Sequence, residues 1–323
     1  MEYRRLGQSG LYVSVIGLGT NSFGGRADKA TSIAIIHRAL DHGVTLIDTA
    51  NVYTGGQSEA IIGEALKGRR DEAVIATKAG LPVGEGPYHR GTSRRHLMRE
   101  LHQSLRRLQT DYIDLFYVHT FDEETPLAET LHTLDDFVRQ GYVRYVAASN
   151  YRAHELATAV GLQKAHGWER FIAVQPSYSL LDRTPEPELV PVAREAGIGL
   201  VAYYPLAGGY LSGKYQGGYV PPGSRAEKQP QFLERISDSR KAAADRFADL
   251  ARAHQVPPAA LALAWLIRRP GVASAIQGAT RPEQLDENLS ALDVAWTPDL
   301  EQALDELSAP FVAGPPFGWY RLR

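Results

Sequence analysis

Four ionisable residues, Asp48, Tyr53, Lys78 and His119, are of the types needed to protonate a carbonyl oxygen. A tyrosine hydroxyl ordinarily titrates near ~10, and lowering that pKa by about three units takes ~4 kcal/mol. Lys78 could supply the ammonium that favours the phenolate, and Asp48 the carboxylate that keeps a buried lysine charged. His119 could fix the direction of the substrate oxygen. Because no side chain can deliver a hydride, reduction of that carbonyl would need a cofactor.

A second group of polar residues suits a nicotinamide cofactor. Ser149, Asn150 and Gln175 could bond a carboxamide, and Tyr203 offers a flat face for a pyridine ring. All of them follow short apolar runs, as the four ionisable residues do. The sequence therefore predicts a polar rim on which a dinucleotide could lie.

The last such run ends in a glycine-bearing turn that could hold phosphate. Gly278 is followed by Arg281, and a helix is expected to begin near Pro282. Backbone amides at a helix start attract anions, and arginine is the natural partner of a 2′-phosphate. This pattern favours NADPH as the cofactor and leaves NADH open.

The elements that must position these residues recur regularly along the chain. Short apolar runs alternate with stretches of helical periodicity, and continuous apolar runs are typical of parallel strands buried on both faces. Eight such strands alternating with helices predict an α/β protein with a (β/α)₈ TIM barrel, whose active site lies at the C-terminal strand ends. The predicted strands are residues 13–19, 43–48, 72–78, 111–119, 143–149, 171–177, 197–205 and 272–278. The predicted helices include residues 31–43, 58–68, 93–109, 126–141, 188–197 and 258–271.

An open, doubly wound sheet is the competing architecture. It would carry a Gly-x-Gly-x-x-Gly turn that opens the first helix. Here the run from Gly17 has Ser22 in the third glycine position, and no helical pattern follows at once. The barrel is therefore the better interpretation.

Composition excludes several classes of protein. The 323 residues are 44% hydrophobic and 22% charged, as expected for one globular barrel domain over residues 1–323. The absence of cysteine excludes disulfides and thiolate chemistry, and the net charge of −2 gives no case for nucleic acid. The start of the chain lacks a signal peptide's apolar stretch, and no apolar run is long enough to span a membrane, which favours the cytoplasm. No histidine pair has metal-ligand spacing, so no metal is expected.

Taken together, these motifs resemble the aldo-keto reductase family, and in particular its bacterial members and the potassium-channel β-subunits. The resemblance covers nearly the whole chain. The matching segments are GLGT at 17–20, DTANVY at 48–53, SEAIIGEAL at 58–66, ATK at 76–78, SLRRLQTDYIDLFYVH at 104–119, SN at 149–150, VQPSYSLLDR at 174–183, VAYYPLAGGYLSGKY at 201–215 and QGATRPEQLDEN at 277–288.

The resemblance implies a catalytic tetrad of Asp48, Tyr53, Lys78 and His119. It also implies an N-terminal hairpin, about residues 2–14, that closes the bottom of the barrel. The cofactor-binding candidates are Gly19, Thr20, Asn21, Ser149, Asn150, Gln175, Tyr203, Pro205, Leu206, Gly208, Ser212, Lys214, Gly278, Thr280, Arg281, Gln284 and Asn288.

Two departures from the family pattern lie near the expected cofactor. Gln277 stands where the family usually has proline, and Tyr204 stands where it usually has a small serine. We expect the Gly- and Pro-rich stretch 208–239 to be a long loop on the C-terminal face. The aromatic residues Phe23, Tyr88 and Trp319 are the candidates for the substrate pocket.

These residues lead to one favoured function and two alternatives. The favoured function is NADPH-dependent reduction of a small aldehyde or ketone, with Tyr53 as general acid. The first alternative is a cofactor-sensing regulatory protein like the channel β-subunits, and the second is a reductase of sugar or natural-product intermediates. The sequence leaves the oligomeric state open.

Overall fold

Eight parallel strands close into a barrel in this computed structural model, which describes residues 1–222, 224–228, 236–316 and 322. Each barrel strand pairs with the next one along the chain, and the last pairs with the first. The predicted (β/α)₈ barrel is therefore confirmed. The strands are β3 (Ile16–Gly19), β4 (Leu46–Asp48), β5 (Val74–Ala79), β6 (Ile113–Val118), β7 (Val143–Ser149), β8 (Phe171–Gln175), β9 (Gly199–Ala202) and β10 (Val272–Gly278).

Helices surround the barrel, and their ends follow local signals in the sequence. Ser93 caps the longest predicted helix by accepting from the His96 amide, and Gln109 ends it in a left-handed conformation. Leu97 and Leu101 are fully buried on its inner face. The helices are α1 (Lys29–Asp41), α2 (Gln57–Ala65), α3 (Arg94–Leu108), α4 (Leu127–Arg139), α5 (Ala153–His166), α6 (Leu189–Glu195), α7 (Arg225–Lys228), α8 (Asp238–Ala253), α9 (Pro258–Leu266), α10 (Pro282–Leu289) and α11 (Pro298–Ser308).

An antiparallel hairpin, β1 (Tyr3–Arg5) and β2 (Tyr12–Ser14), lies at the N-terminal end of the barrel, as predicted. Leu6 is fully buried and packs with the side chains inside the barrel. Gly7 follows in a left-handed conformation, where a Cβ would lie only 2.5 Å from the carbonyl oxygen of Gly197. Glycine is therefore the residue that lets the hairpin approach this closely.

The barrel interior changes character along each strand. Leu46, Leu115 and Val201 belong to an apolar cluster inside the barrel at its hairpin end. Successive strand residues face opposite sides of the sheet, so the next inward position lies two residues further on. On β4 that position is Asp48, and the same alternation governs the other strands. The strands thus fill one end of the barrel with hydrocarbon and deliver polar groups to the other.

The C-terminal face carries the long connections. After β9 the chain forms short 3₁₀ turns at Ala207–Ser212 and Gln216–Gly218 before α7. Part of the predicted loop 208–239 lies outside the described residues. Among the helices that are described, none has both the length and the apolar character that crossing a membrane requires.

Candidate active site

Asp48 and Lys78 form a buried ion pair at the C-terminal ends of β4 and β5. The Lys78 Nζ donates to Asp48 Oδ1 at 2.5 Å and to the carbonyl oxygen of Thr49 at 2.8 Å, while Gln175 donates to Asp48 Oδ2 at 2.8 Å. Burial raises the pKa of Asp48 and lowers the pKa of Lys78. The positive charge of Lys78 partly offsets the rise for Asp48, and the negative charge of Asp48 partly offsets the fall for Lys78. The pair keeps a cation inside the barrel next to the segment that follows β4.

Tyr53 begins a 3₁₀ turn, Tyr53–Gly56, that follows β4. Its half-buried ring lies with its centroid 5.3 Å from the Lys78 Nζ. The ring also meets the edge of the His119 imidazole, with 6.1 Å between centroids and an angle of 77°. The three side chains therefore converge, as the sequence predicted from their strand-end positions.

His119 follows β6 directly, and its backbone amide donates to the carbonyl oxygen of Ala79 at 2.9 Å. Burial, with a smaller contribution from the Lys78 charge, holds the pKa of His119 well below 6.5. The imidazole is therefore neutral near neutral pH. A neutral imidazole can donate one hydrogen bond, but it has no spare proton to give to a substrate.

Hydrogen bonds join four of the predicted cofactor residues into one chain. The Tyr203 hydroxyl donates to Asn150 Oδ1 at 2.7 Å, and Asn150 Nδ2 donates to the carbonyl oxygen of His119 at 2.9 Å and to Ser149 Oγ at 3.1 Å. Ser149 Oγ in turn donates to the carbonyl oxygen of Gln175 at 3.0 Å. Asn150 adopts a left-handed conformation, with φ of 56°. This network orients the side chains before any ligand arrives.

A cavity of about 480 Å³ lies over these groups at the C-terminal end of the barrel. All of the predicted cofactor residues line it, from Gly19 to Asn288, together with Asp48, Tyr53 and His119. Lys78 does not line the cavity, because it lies below the cavity floor. It contacts two lining residues, Asp48 through a hydrogen bond and Tyr53 through the aromatic ring.

The departure at Gln277 has a structural consequence. Gln277 is fully buried, and its Oε1 accepts from Asn288 Nδ2 at 2.6 Å. The amide nitrogen of Asn288 is thus engaged by the residue that replaces the family's proline. Gln284 Oε1 accepts from the backbone amide of Thr280 at 2.8 Å and from its hydroxyl at 3.1 Å, which shapes the turn before α10.

The departure at Tyr204 places a second aromatic ring at the site. Tyr204 adopts a left-handed conformation, with φ of 57°, and lines the cavity. Its ring centroid lies 5.3 Å from that of Tyr203, at an angle of 59°. The bulky ring therefore adds aromatic surface to the cavity beside Tyr203.

Arg26, Leu81 and Glu287 are among the lining residues that were not predicted from the sequence. Arg26 and Leu81 lie on the loops after β3 and β5, so inspection of every loop that follows a strand could have found them. Glu287 lies on α10 beside Asn288, and no signal in the sequence separates it from an exposed helical glutamate.

Two of the three predicted substrate aromatics, Phe23 and Tyr88, lie away from the cavity. Phe23 is fully buried in the hydrophobic core, and Tyr88 is 55% exposed with its ring 4.2 Å from the guanidinium carbon of Arg95. Neither lines the cavity. Trp319 lies outside the described residues. The substrate-binding role of all three stays a prediction.

No cluster of three or more His, Asp or Glu side chains that could hold a metal ion occurs within the described residues. The donors that the described residues bring to the cavity are instead amides, hydroxyls and three exposed cations, Arg26, Lys214 and Arg281. Such groups suit a phosphate-bearing organic cofactor better than a metal.

Comparison with known proteins identifies the family. The sequence profile of the Aldo/keto reductase family matches residues 15–309. An uncharacterized oxidoreductase, YrpG, of Bacillus subtilis is 36% identical over 95% of this chain and 96% of its own length. A probable voltage-gated potassium channel subunit beta of Arabidopsis thaliana is 36% identical over 91% of this chain and 92% of its own, and an L-glyceraldehyde 3-phosphate reductase of Escherichia coli is 36% identical over 91% and 88%.

These matches confirm the family and the class of enzyme that the sequence motifs predicted. The aldo-keto reductases act on small carbonyl compounds with a nicotinamide cofactor, and the chain carries their barrel and spans nearly the full length of its relatives. The chain belongs to the aldo-keto reductase family and is an NAD(P)H-dependent oxidoreductase.

Proposed function

We propose that this enzyme reduces an aldehyde or ketone to an alcohol with NADPH, and that Tyr53 is its general acid. The observation that carries the proposal is the position of the Tyr53 ring, 5.3 Å from the buried ammonium of Lys78 at the wall of the 480 Å³ cavity. A phenol, a buried cation and a cavity lined with amide donors and acceptors form a site suited to proton donation beside a bound cofactor.

The lining residues fit a nicotinamide dinucleotide. Gly19 allows the cavity wall to pack closely against Ile276, because a Cβ at this position would lie 2.7 Å from Ile276 Cγ2. Ser149 and Asn150 would hold the carboxamide, Tyr203 would lie against the pyridine ring, and Lys214 and Arg281 would pair with phosphates. When bound, the reduced nicotinamide supplies the hydride that adds to the carbonyl carbon.

Tyr53 gives its proton to the carbonyl oxygen as the hydride adds to the carbon, which leaves a phenolate that regains a proton from water. Lys78 stabilises that phenolate electrostatically, and Asp48 holds the lysine in place. His119 is neutral, so it donates a hydrogen bond that directs the carbonyl oxygen and does not act as the acid. The chain thus divides proton donation and orientation between two side chains.

The preference for NADPH rests on charge at the far end of the cavity. Arg281 lies just before α10, where a 2′-phosphate would find a guanidinium and the start of a helix. Glu287 also lines this end of the cavity, and its carboxylate would repel a second anion there. We assign the preference to NADPH because the three cations that line the cavity, Arg26, Lys214 and Arg281, outnumber its two carboxylates, Asp48 and Glu287.

The test is cofactor titration followed by turnover. Quenching of protein fluorescence should show tighter binding of NADPH than of NADH. Absorbance in the reduced-nicotinamide band should then fall when aldehydes and ketones are added from a panel. Tight NADPH binding without turnover of any carbonyl compound would contradict the proposed reductase activity.

That contrary result is the one expected of a regulatory subunit. The Arabidopsis relative is named as a probable potassium channel subunit beta, and it covers nearly all of this chain. A regulatory role predicts slow chemistry and recovery with a membrane protein, whereas a reductase turns over alone. If turnover is found, a panel that includes phosphorylated aldehydes distinguishes a general reductase from one specialised for sugar intermediates, as the name of the Escherichia coli relative suggests for that protein.

A further inference from the structure

A second buried ion pair lies behind the segment that carries Tyr53, and the mechanism above does not use it. Glu59 on α2 is fully buried. Its Oε2 accepts from Arg107 Nε at 2.6 Å, and its Oε1 accepts from the Thr77 hydroxyl at 2.6 Å. Thr77 is the strand residue directly before Lys78. One carboxylate therefore joins the helix that follows the Tyr53 turn, the strand that carries Lys78, and α3.

Arg107 also packs against the Tyr53 turn itself. A Cβ at Gly56 would lie 2.8 Å from Arg107 Cδ, so the arginine stem occupies the space that a side chain at Gly56 would need. The turn contains left-handed residues, among them Thr54 with φ of 49°, a conformation that a β-branched residue rarely adopts. A turn of this kind persists only where its surroundings hold it.

A matching contact lies on the other side of Tyr53. Asn51 Nδ2 donates to Glu100 Oε2 at 2.9 Å, and the Asn51 backbone amide donates to the carbonyl oxygen of Lys78 at 3.1 Å. Glu100 and Arg107 are seven residues apart on α3, which places them on the same helix face. Helix α3 thus holds the Tyr53 segment from both sides.

These contacts are costly for a purely structural purpose. Among the described residues, Arg107 Nη2 and Asn51 Oδ1 are buried without a hydrogen-bond partner. A buried polar atom without a protein partner is unfavourable, and a well-packed apolar pair is often as stable as a buried ion pair. Because hydrocarbon would hold two elements together at lower cost, the charges point to a role beyond packing.

We propose that Glu59 and Arg107 are positioning residues for the reduction: Arg107 holds the Tyr53 turn, and Glu59 holds the Lys78 strand and places a negative charge behind the lysine. The charge of Glu59 raises the pKa of Lys78 and so opposes the effect of burial. The other ionisable groups around Lys78 are Asp48, Tyr53, Tyr117 and His119.

The pH profile of the turnover separates this role from simple stabilisation. Glu59→Gln keeps the shape of the side chain and one acceptor oxygen but removes the charge. Without that anion, the Tyr53–Lys78 pair loses its first proton at lower pH, because removing a nearby negative charge disfavours the protonated forms. We expect the alkaline limb of kcat/KM to move down by about one pH unit, with NADPH affinity by fluorescence unchanged within about twofold.

Two further variants complete the test. Glu64→Gln is the matched control, since Glu64 lies on the same helix but has a side chain that is 41% exposed and pairs with Lys29 at 2.6 Å. Its pH profile should equal that of the wild type. Arg107→Lys keeps the charge but loses the planar fork and the packing at Gly56. It should lower kcat about tenfold without moving the alkaline limb or the NADPH affinity.

The inference rests on the proposed function, and the outcomes separate the two. If the wild type reduces no carbonyl compound, both the proposed function and the positioning role of Glu59 and Arg107 are wrong. If the wild type turns over and Glu59→Gln keeps the wild-type alkaline limb, losing activity only in proportion to folded protein, the inference is wrong and the proposed function stands. Should Glu59→Gln fail to fold, Arg107→Lys decides the matter: full wild-type kcat in that variant would overturn the positioning role.

Discussion

The two ends of the barrel interior are built from the same strands but do opposite things. At the hairpin end the inward residues are hydrocarbon, such as Leu46 on β4 and Leu115 on β6. Two residues further along β4 stands Asp48, and β6 leads into His119 at the cavity. A strand of constant geometry therefore changes from core to active site within one alternation of the pleat.

The difference between the two ends of the barrel concerns what each contributes to the free energy of folding. Removing apolar side chains from water stabilises the fold, whereas the buried Asp48–Lys78 pair has lost water that its mutual attraction only partly replaces. The opposed pKa shifts of that pair have this cause. We therefore expect the hairpin end to stabilise the barrel and the buried Asp48–Lys78 pair at the cavity end to add little to its stability or to lower it.

The strongest way to break this comparison is to remove the charged pair as a whole. The double variant Asp48→Asn, Lys78→Met should lose at least about 100-fold in turnover, because the phenolate loses its nearby cation. Its free energy of unfolding, measured by urea denaturation, should stay unchanged or rise by up to about 4 kcal/mol.

The single variant Lys78→Met is the control for that result. It leaves Asp48 buried without its cation and should be less stable than the wild type by about 3–5 kcal/mol. A double variant that is as unstable as the single one would show that the ion pair stabilises the barrel, contrary to the comparison.

A substitution at the hairpin end of the barrel should lower the stability of the fold and leave turnover nearly unchanged. Leu115→Ala leaves a cavity among fully buried side chains and should lower the free energy of unfolding by about 2–5 kcal/mol. Turnover per folded molecule should stay within about threefold of the wild type, because the change is one layer below the ionisable groups. A large loss of kcat at a temperature where the variant is fully folded would show that the two layers are not separable.

Much of the fold could be predicted because its signals are local. Short apolar runs and helix caps such as Ser93 located most elements within a few residues. The α5 helix gave little signal, since its buried face is made of residues such as Ala153, Ala159 and Gln163, and small or polar residues give a weak helical period.

The site was predictable to the extent that it follows strand ends. The last residue of each predicted strand is enough to find Asp48, Lys78 and His119, because the C-terminal ends of the strands in a parallel barrel meet on one face. Phe23 could not be placed in this way, because an aromatic side chain in a loop can pack into the core as easily as into a cavity, and here it packs into the core. The hydrogen bond from Asn288 to Gln277 likewise could not be predicted, because it joins a helix to the end of a strand and so depends on tertiary structure.

The most direct test of the central claim is the turnover of Tyr53→Phe with NADPH and a carbonyl substrate that the wild type reduces. The substitution removes only the hydroxyl and keeps the ring that lies against Lys78 and His119. We predict that NADPH affinity stays within about twofold while kcat falls by about 10²–10⁴-fold. A variant that binds NADPH and keeps the wild-type kcat would contradict the assignment of Tyr53 as the acid.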